Sequence, residues 1–255
     1  MSGGRTGSAS SAGGSLLSWL REIAIVVVGA LIASTLLRLF VLQMFVIPSV
    51  SMENTLLIGD RVAVQKIVPY HRGEVVVFRD SLGWLGAPPP EEDIFRQALI
   101  FVGLAPDESA NHLIKRVIGV AGDHVTCCDA AGRVSVNGAA INETAYLYTD
   151  PTTKKQVDPS TYTFDVVVPA GTVFVMGDHR DRSQDSRCHI WQQVPGKPEG
   201  YAAFIPTTDI VGSAVAVVYP FSRFHALNEP TSLQNIPAPG PAPAHAVIKG
   251  PEFHC

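Results

Sequence analysis

The sequence predicts a mainly β protein: an N-terminal transmembrane helix, then an all-β domain of coiled or packed antiparallel sheets with a smaller inserted β region. Three observations predict it. One long apolar run stands near the start of the chain, short β-branched runs recur after Pro48, and turn chemistry such as Asn137-Gly138 separates them. Composition narrows the choice further. The 255 residues are 46% hydrophobic and only 16% charged, against about 25% charged in a typical soluble chain. So apolar a chain is not disordered. With 19 basic residues against 23 acidic ones, it has no positive excess to neutralise phosphates, so no nucleic acid is expected as a partner.

Residues 1–15 are mostly Gly, Ser and Ala with one charge, Arg5, which predicts a flexible start. The run 16–42 is interrupted only by Arg21, Glu22 and Arg38. About 20 apolar residues cross a bilayer as a helix, and this run lacks the polar stripe of a soluble core helix. It is too long for the apolar segment of a cleaved secretory leader, and no Ala-x-Ala site follows it. The expectation is a single uncleaved anchor with the lipid bilayer as its partner. The basic residues Arg5 and Arg21 favour a cytoplasmic N-terminus, with the domain on the far side of the plasma membrane.

The domain is expected over 43–229. Residues 61–68 (RVAVQKIV) alternate apolar and polar, and 74–79, 114–120, 134–136, 163–168, 172–176 and 210–218 are further β-branched stretches. A smaller β region is expected at about 124–172. Residues 81–111 break the pattern with Pro88, Pro89 and Pro90, followed by a helical reading over 91–104, and are taken as an insertion. The Pro/Ala-rich stretch 230–255 reads as a mobile tail.

Three segments carry residues suited to chemistry. The first is Pro48-Ser49-Val50-Ser51-Met52, just after the anchor, where a serine can act as a nucleophile if a base lies near. The second places Lys115 and Arg116 inside an apolar strand. One of two adjacent strand residues faces inward, and a buried lysine loses pKa and can act as a neutral base. The third, 177–187 (GDHRDRSQDSR), is dense in alternating charge and suits a salt-bridge network. It also admits a triad through His179, or a metal set of Asp178, His179 and Asp181, although no spaced metal motif supports the latter.

In this order, the segments resemble the type I signal peptidases, membrane-anchored serine proteases that remove secretory signal peptides. The resemblance runs through Pro48-Ser-Val-Ser-Met52, Gly59-Asp-Arg-Val-Ala-Val-Gln-Lys66, Lys115-Arg-Val-Ile-Gly119 with Gly122-Asp123, and the 177–187 loop. Asn54 stands where the family usually has proline, and His179 where it has asparagine. The resemblance implies a Ser/Lys dyad of Ser51 as nucleophile and Lys115 as general base. It further implies an oxyanion hole of the Ser51 N–H and the Ser49 hydroxyl, Ser183 orienting the lysine, and Asp185 with Arg187 as a supporting pair. Phe45, Ile47, Met52, Leu56 and Ile114 match or neighbour the family's substrate-pocket positions, which take small residues in secretory preproteins. No metal or other cofactor is implied.

An outward-facing domain permits disulfides. Four cysteines allow three full pairings, and spacing does not choose among them. The bridge expected joins Cys127 or Cys128 to Cys188, with Cys255 free on the tail. Two other readings stand beside the main one: a related Ser/Lys processing protease of narrow range, and a non-catalytic anchored β domain that binds partners.

Overall fold

The structure is a computed structural model and describes residues 12–86, 111–253 and 255. The first 11 residues of the expected flexible start lie outside the described residues, as do most of the 81–111 insertion and its expected helix. Helix α1 spans Ala12–Phe40, and its stretch Ser18–Leu37 is long and apolar enough to cross a membrane. At 1.5 Å per residue those 20 residues span about 30 Å, the thickness of a bilayer's hydrocarbon. No protein covers them: Trp19, Val26 and Ile32 are all exposed. A single residue, Val41, separates α1 from the first strand. Its N–H donates to the Leu37 carbonyl of the helix, and its carbonyl accepts from the Lys66 N–H of the domain.

Thirteen strands follow among the described residues: β1 (Leu42–Val46), β2 (Arg61–Gln65), β3 (Val75–Arg79), β4 (His112–Val120), β5 (His124–Cys127), β6 (Val134–Val136), β7 (Ala139–Ala140), β8 (Phe164–Val167), β9 (Thr172–Met176), β10 (Ile205–Pro206), β11 (Ile210–Tyr219), β12 (His225–Ala226) and β13 (Val247–Lys249). The larger sheet runs β1-β2-β11-β3-β4-β9-β10, with β12 on β11, and the smaller runs β13-β8-β5-β6-β7. Every pairing is antiparallel. The smaller sheet occupies the predicted second β region and adds one strand from beyond it.

Side-chain alternation sorts the larger sheet onto two cores. On β3, Val75 and Val77 join one apolar cluster with Ile47, Met52 and Leu56, whereas Val76 and Phe78 join another with Trp84 and Val175. A third core holds Phe174 and Met176 of β9 against Val125 and Val166 of the smaller sheet. A strand covered on both faces reads as a continuous apolar run, which is why Val75–Phe78 do not alternate.

The C-terminal stretch differs from the expected mobile tail. Helix α2 (Thr231–Gln234) buries Leu233 in the third core, β13 pairs with β8, and the Phe253 ring stacks on Tyr162 at 4.6 Å. Between them the chain passes so close to Gly122 that an added Cβ there would stand 2.1 Å from the Gly240 carbonyl. The Pro/Ala composition does not supply a core of its own, but Leu233, Ile236, Ala246, Ile248 and Phe253 dock on one already built. The expected disulfide is corrected as well. Cys188 pairs with Cys255, and Cys127 pairs with Cys128. Cys127 ends β5 in the smaller sheet, while the packed tail brings Cys255 back to Cys188, with 5.2 Å between their Cα atoms.

Candidate active site

After β1 the chain leaves the sheet at Pro48 and makes one 3-10 turn, Val50–Met52. Met52 and Leu56 are fully buried in the first core and pin that turn. Ser51 thereby meets Lys115 of β4: the lysine Nζ donates to Ser51 Oγ at 2.6 Å, and Ser49 Oγ lies 3.3 Å from the same oxygen. Ser51 is 5% exposed and Lys115 3%. Burial lowers the Lys115 amine to about 8, against the opposing pull of the Asp185 and Asp178 carboxylates and with the help of Arg187.

The sequence predicted that one of Lys115 and Arg116 faces inward; the structure buries both. β4 lies inside the sheet between β3 and β9, with protein on each face. Arg116 holds Asp178 through two hydrogen bonds of 2.8 and 2.5 Å, donates to the Gly73 carbonyl at 2.6 Å and lies over the Tyr146 ring at 4.2 Å. Burial alone would lower its pKa, but Asp178 raises it above the ordinary value. Asp178 also accepts from Thr55, so it is committed to structure and is no ligand for the metal set considered above.

The 177–187 loop closes the site from behind. His179 N–H donates to the Ser51 carbonyl at 3.0 Å, and Asp185 takes the Gly177 N–H and both arms of the Arg187 guanidinium at 2.9 Å. Burial would raise the Asp185 carboxyl, but Arg187 holds it below the ordinary carboxylate range. Arg187 also donates to the Arg180 carbonyl, and Arg180 pairs with Glu143. The expected network therefore exists, yet two of its partners, Arg116 and Glu143, come from outside the loop. Glu143 lay beyond the reach of sequence reasoning, since no local pattern ties it to a residue 37 positions away.

Gly177 also escaped notice, although it opens the motif. An added Cβ would stand 2.2 Å from Ser183 Oγ and 2.5 Å from the Ser51 carbonyl, so only glycine lets these two segments meet. Ser183 is thus beside the Ser51 turn; its buried hydroxyl does not bond Lys115 but faces Asp185, whose carboxyl it helps to hold down. The His179 ring turns away from the serine, bonding Glu53 at 3.2 Å and stacking on Tyr148 at 3.8 Å. Asn54 has φ 90 and donates to the Tyr146 carbonyl. Proline, fixed near φ −65°, has no access to that conformation, which accounts for the departure at this position.

Phe45, Ile47, Met52, Leu56 and Ile114 gather in one apolar cluster. Met52 and Leu56 are wholly buried, so they serve as plugs beneath the site, while Phe45 and Ile114 keep 6% exposure. Two sheet edges lie beside them. Among the described residues, β1 pairs with β2 and with no other strand, and β4 gains β9 as a neighbour from Arg116 onward. The Phe45 and His112 rings, 5.3 Å apart, bring these edges together. Such edges accept an extended peptide as an added strand.

A serine hydroxyl bonded to a buried lysine amine, on an all-β domain behind a membrane-type helix, defines the class: an anchored protein with a Ser/Lys site. The particular family follows from comparison. The family model described as "Signal peptidase, peptidase S26" matches residues 18–219, and the chain belongs to that family of serine endopeptidases. It is 35% identical over 228 residues to Signal peptidase I of Mycobacterium tuberculosis (strain CDC 1551 / Oshkosh), covering 81% of this chain and 75% of that one. It is 33% identical over 215 residues to Signal peptidase I of Bacillus licheniformis, covering 82% and 91%. A crystal structure of a signal peptidase I from Enterococcus faecalis V583 is 20% identical with a TM-score of 0.33, covering 58% of this chain and 97% of that one.

Proposed function

We propose that this protein cleaves signal peptides from secretory preproteins after an Ala-x-Ala-type site, with Ser51 as nucleophile and Lys115 as general base. The observation that carries the reading is the 2.6 Å contact between Ser51 Oγ and a buried amine lowered to about 8. At pH 7 about one such amine in ten is neutral, compared with fewer than one in a thousand for an ordinary lysine. The neutral Nζ takes the Ser51 proton as Oγ attacks the scissile carbonyl. The Ser51 N–H and the Ser49 hydroxyl stabilise the developing oxyanion, each worth roughly 3 kcal/mol. Collapse breaks the C–N bond, and Lys115 returns the proton to the leaving amine. Water then attacks the acyl-enzyme, giving a proton to Lys115, which passes it to Ser51 Oγ as the acyl–oxygen bond breaks and the signal peptide's new carboxylate leaves. Asp185 and Arg187 hold the loop that supports the amine, and Ser183 is the matching position for an orienting serine.

Small side chains of the substrate suit the apolar cluster of Phe45, Ile47 and Ile114, with the peptide extended along the edges of β1 and β4. The helix α1 holds the domain at the bilayer, N-terminus in the cytoplasm and catalytic domain outside. Ile58, Ile67, Val68, Phe221 and Phe224, all exposed, suit a surface that rests against lipid. The test incubates the full chain in detergent with a preprotein whose signal ends in Ala-x-Ala. Ser51→Ala and Lys115→Ala are each expected to lose cleavage, the latter by about 10²–10⁴-fold. Full activity in Lys115→Ala overturns the dyad, and loss confined to a His179 variant transfers the base role to that ring.

A further inference from the structure

A polar cleft of about 650 Å³ opens beside the Ser51 turn, and none of its lining residues belongs to the apolar cluster. Val50 and Glu53, which bracket Ser51 and Met52, line it together with Tyr148, His179 and Arg182. No residue of β1 or β4 lines it. Ser51 therefore parts two surfaces of opposite character. A peptide whose signal side lies along the free edges, with its scissile carbonyl at Ser51, runs its other end toward this cleft.

The cleft carries a carboxylate excess: Glu53, Asp150, Asp158 and Asp181 against Lys155 and Arg182. Asp150 accepts the backbone N–H groups of Thr153 and Thr152, which hold its carboxyl below the ordinary range and keep it ionised. The Tyr148 hydroxyl is raised, first by desolvation and then by Glu53 and Asp150, against the pull of Arg182. Glu53 is fixed in place by His179, whose ring is itself clamped on Tyr148.

We propose that this cleft receives the first residues on the mature side of the cut bond and favours those with positive charge over those with negative charge. The proposal rests on the signal-peptide reading above. It makes Glu53, two residues from the nucleophile, a specificity residue that touches neither the reacting carbonyl nor Lys115.

Three peptides test it, identical through the Ala-x-Ala site and carrying Lys, Gln or Glu at the second and third positions after the cut. With the full chain in detergent, kcat/KM for the Lys peptide is expected to exceed that for the Glu peptide by about three- to tenfold, with Gln between them. The ratio falls as salt rises. Glu53→Gln combined with Asp181→Asn brings it toward one, and Glu53→Lys reverses the order. Equal wild-type rates for all three peptides, or a ratio that survives Glu53→Lys, overturn the proposal. If the Gln peptide is not cut at all, the signal-peptide reading fails and the inference falls with it.

Discussion

The two faces of β4 treat two adjacent cations in opposite ways. Lys115 and Arg116 are each 3% exposed. Arg116 is given a carboxylate, a carbonyl and an aromatic ring, and its charge is locked. Lys115 is given the Ser51 hydroxyl and no carboxylate within bonding distance, and its amine falls to about 8. Burial with a counter-ion makes a strut; burial without one makes a base. Arg180 with Glu143 and Arg187 with Asp185 are further struts of the same kind.

The largest expected effect breaks a strut. Arg116→Met leaves Asp178 buried and unpaired and is expected to cost about 3–5 kcal/mol, read as a fall in the melting temperature of the full chain in detergent. Lys115→Met moves the other way. Because the folded value of about 8 lies below the unfolded 10.5, the unfolded chain binds more protons between those pH values, and wild-type stability rises with pH across that window. Below pH 8 the wild type carries the full penalty, so the variant should be more stable there by about 3 kcal/mol, and the gain should vanish by pH 10.5. If Lys115→Met is destabilising at pH 7, the amine is held as an ion and the contrast collapses. The same titration predicts a wild-type kcat/KM that climbs with pH to a plateau, with an apparent pKa near 8 in free enzyme.

Gly177→Ala should cost about 1–3 kcal/mol through overpacking against Ser183 and the Ser51 carbonyl. Its kcat should fall further than its stability loss accounts for, because the clash displaces the nucleophile turn. The smallest effect belongs to the exposed His124–Asp165 pair, 44% and 35% exposed. His124→Ala should change stability by less than about 1 kcal/mol, which sets the baseline for what an ion pair outside the buried network contributes.

The apolar helix, the β class and the Ser51–Lys115 contact were legible because each is written locally: a long apolar run, β-branched strands between turns, and short motifs carrying the serine and the lysine. Partners across long sequence distances were hidden. Nothing near Arg116 announces Asp178, and nothing near Arg180 announces Glu143. The tail misled for a related reason. Its composition measures what a segment can bury by itself, whereas Leu233, Ile248 and Phe253 are packed by surfaces made elsewhere. The cysteine pairing depended on that docking, so it was lost with it. The Lys-Arg pair was half read: alternation requires one inward residue, and only the sheet order reveals that both directions are inward.

Val41 belongs to helix and sheet at once, bonded back to Leu37 and across to Lys66. With no slack between them, the elevation of Ser51 above the helix end is a built dimension, bounded by the 11 residues that follow Phe40, about 40 Å at full stretch. With the helix in a bilayer, that dimension would act as a gauge. A signal segment of matching span presents its scissile bond at that elevation, and a shorter or longer one presents it below or above. Selection by length would come from this joint, independently of side-chain recognition, and extra residues inserted at Val41 would reset the gauge.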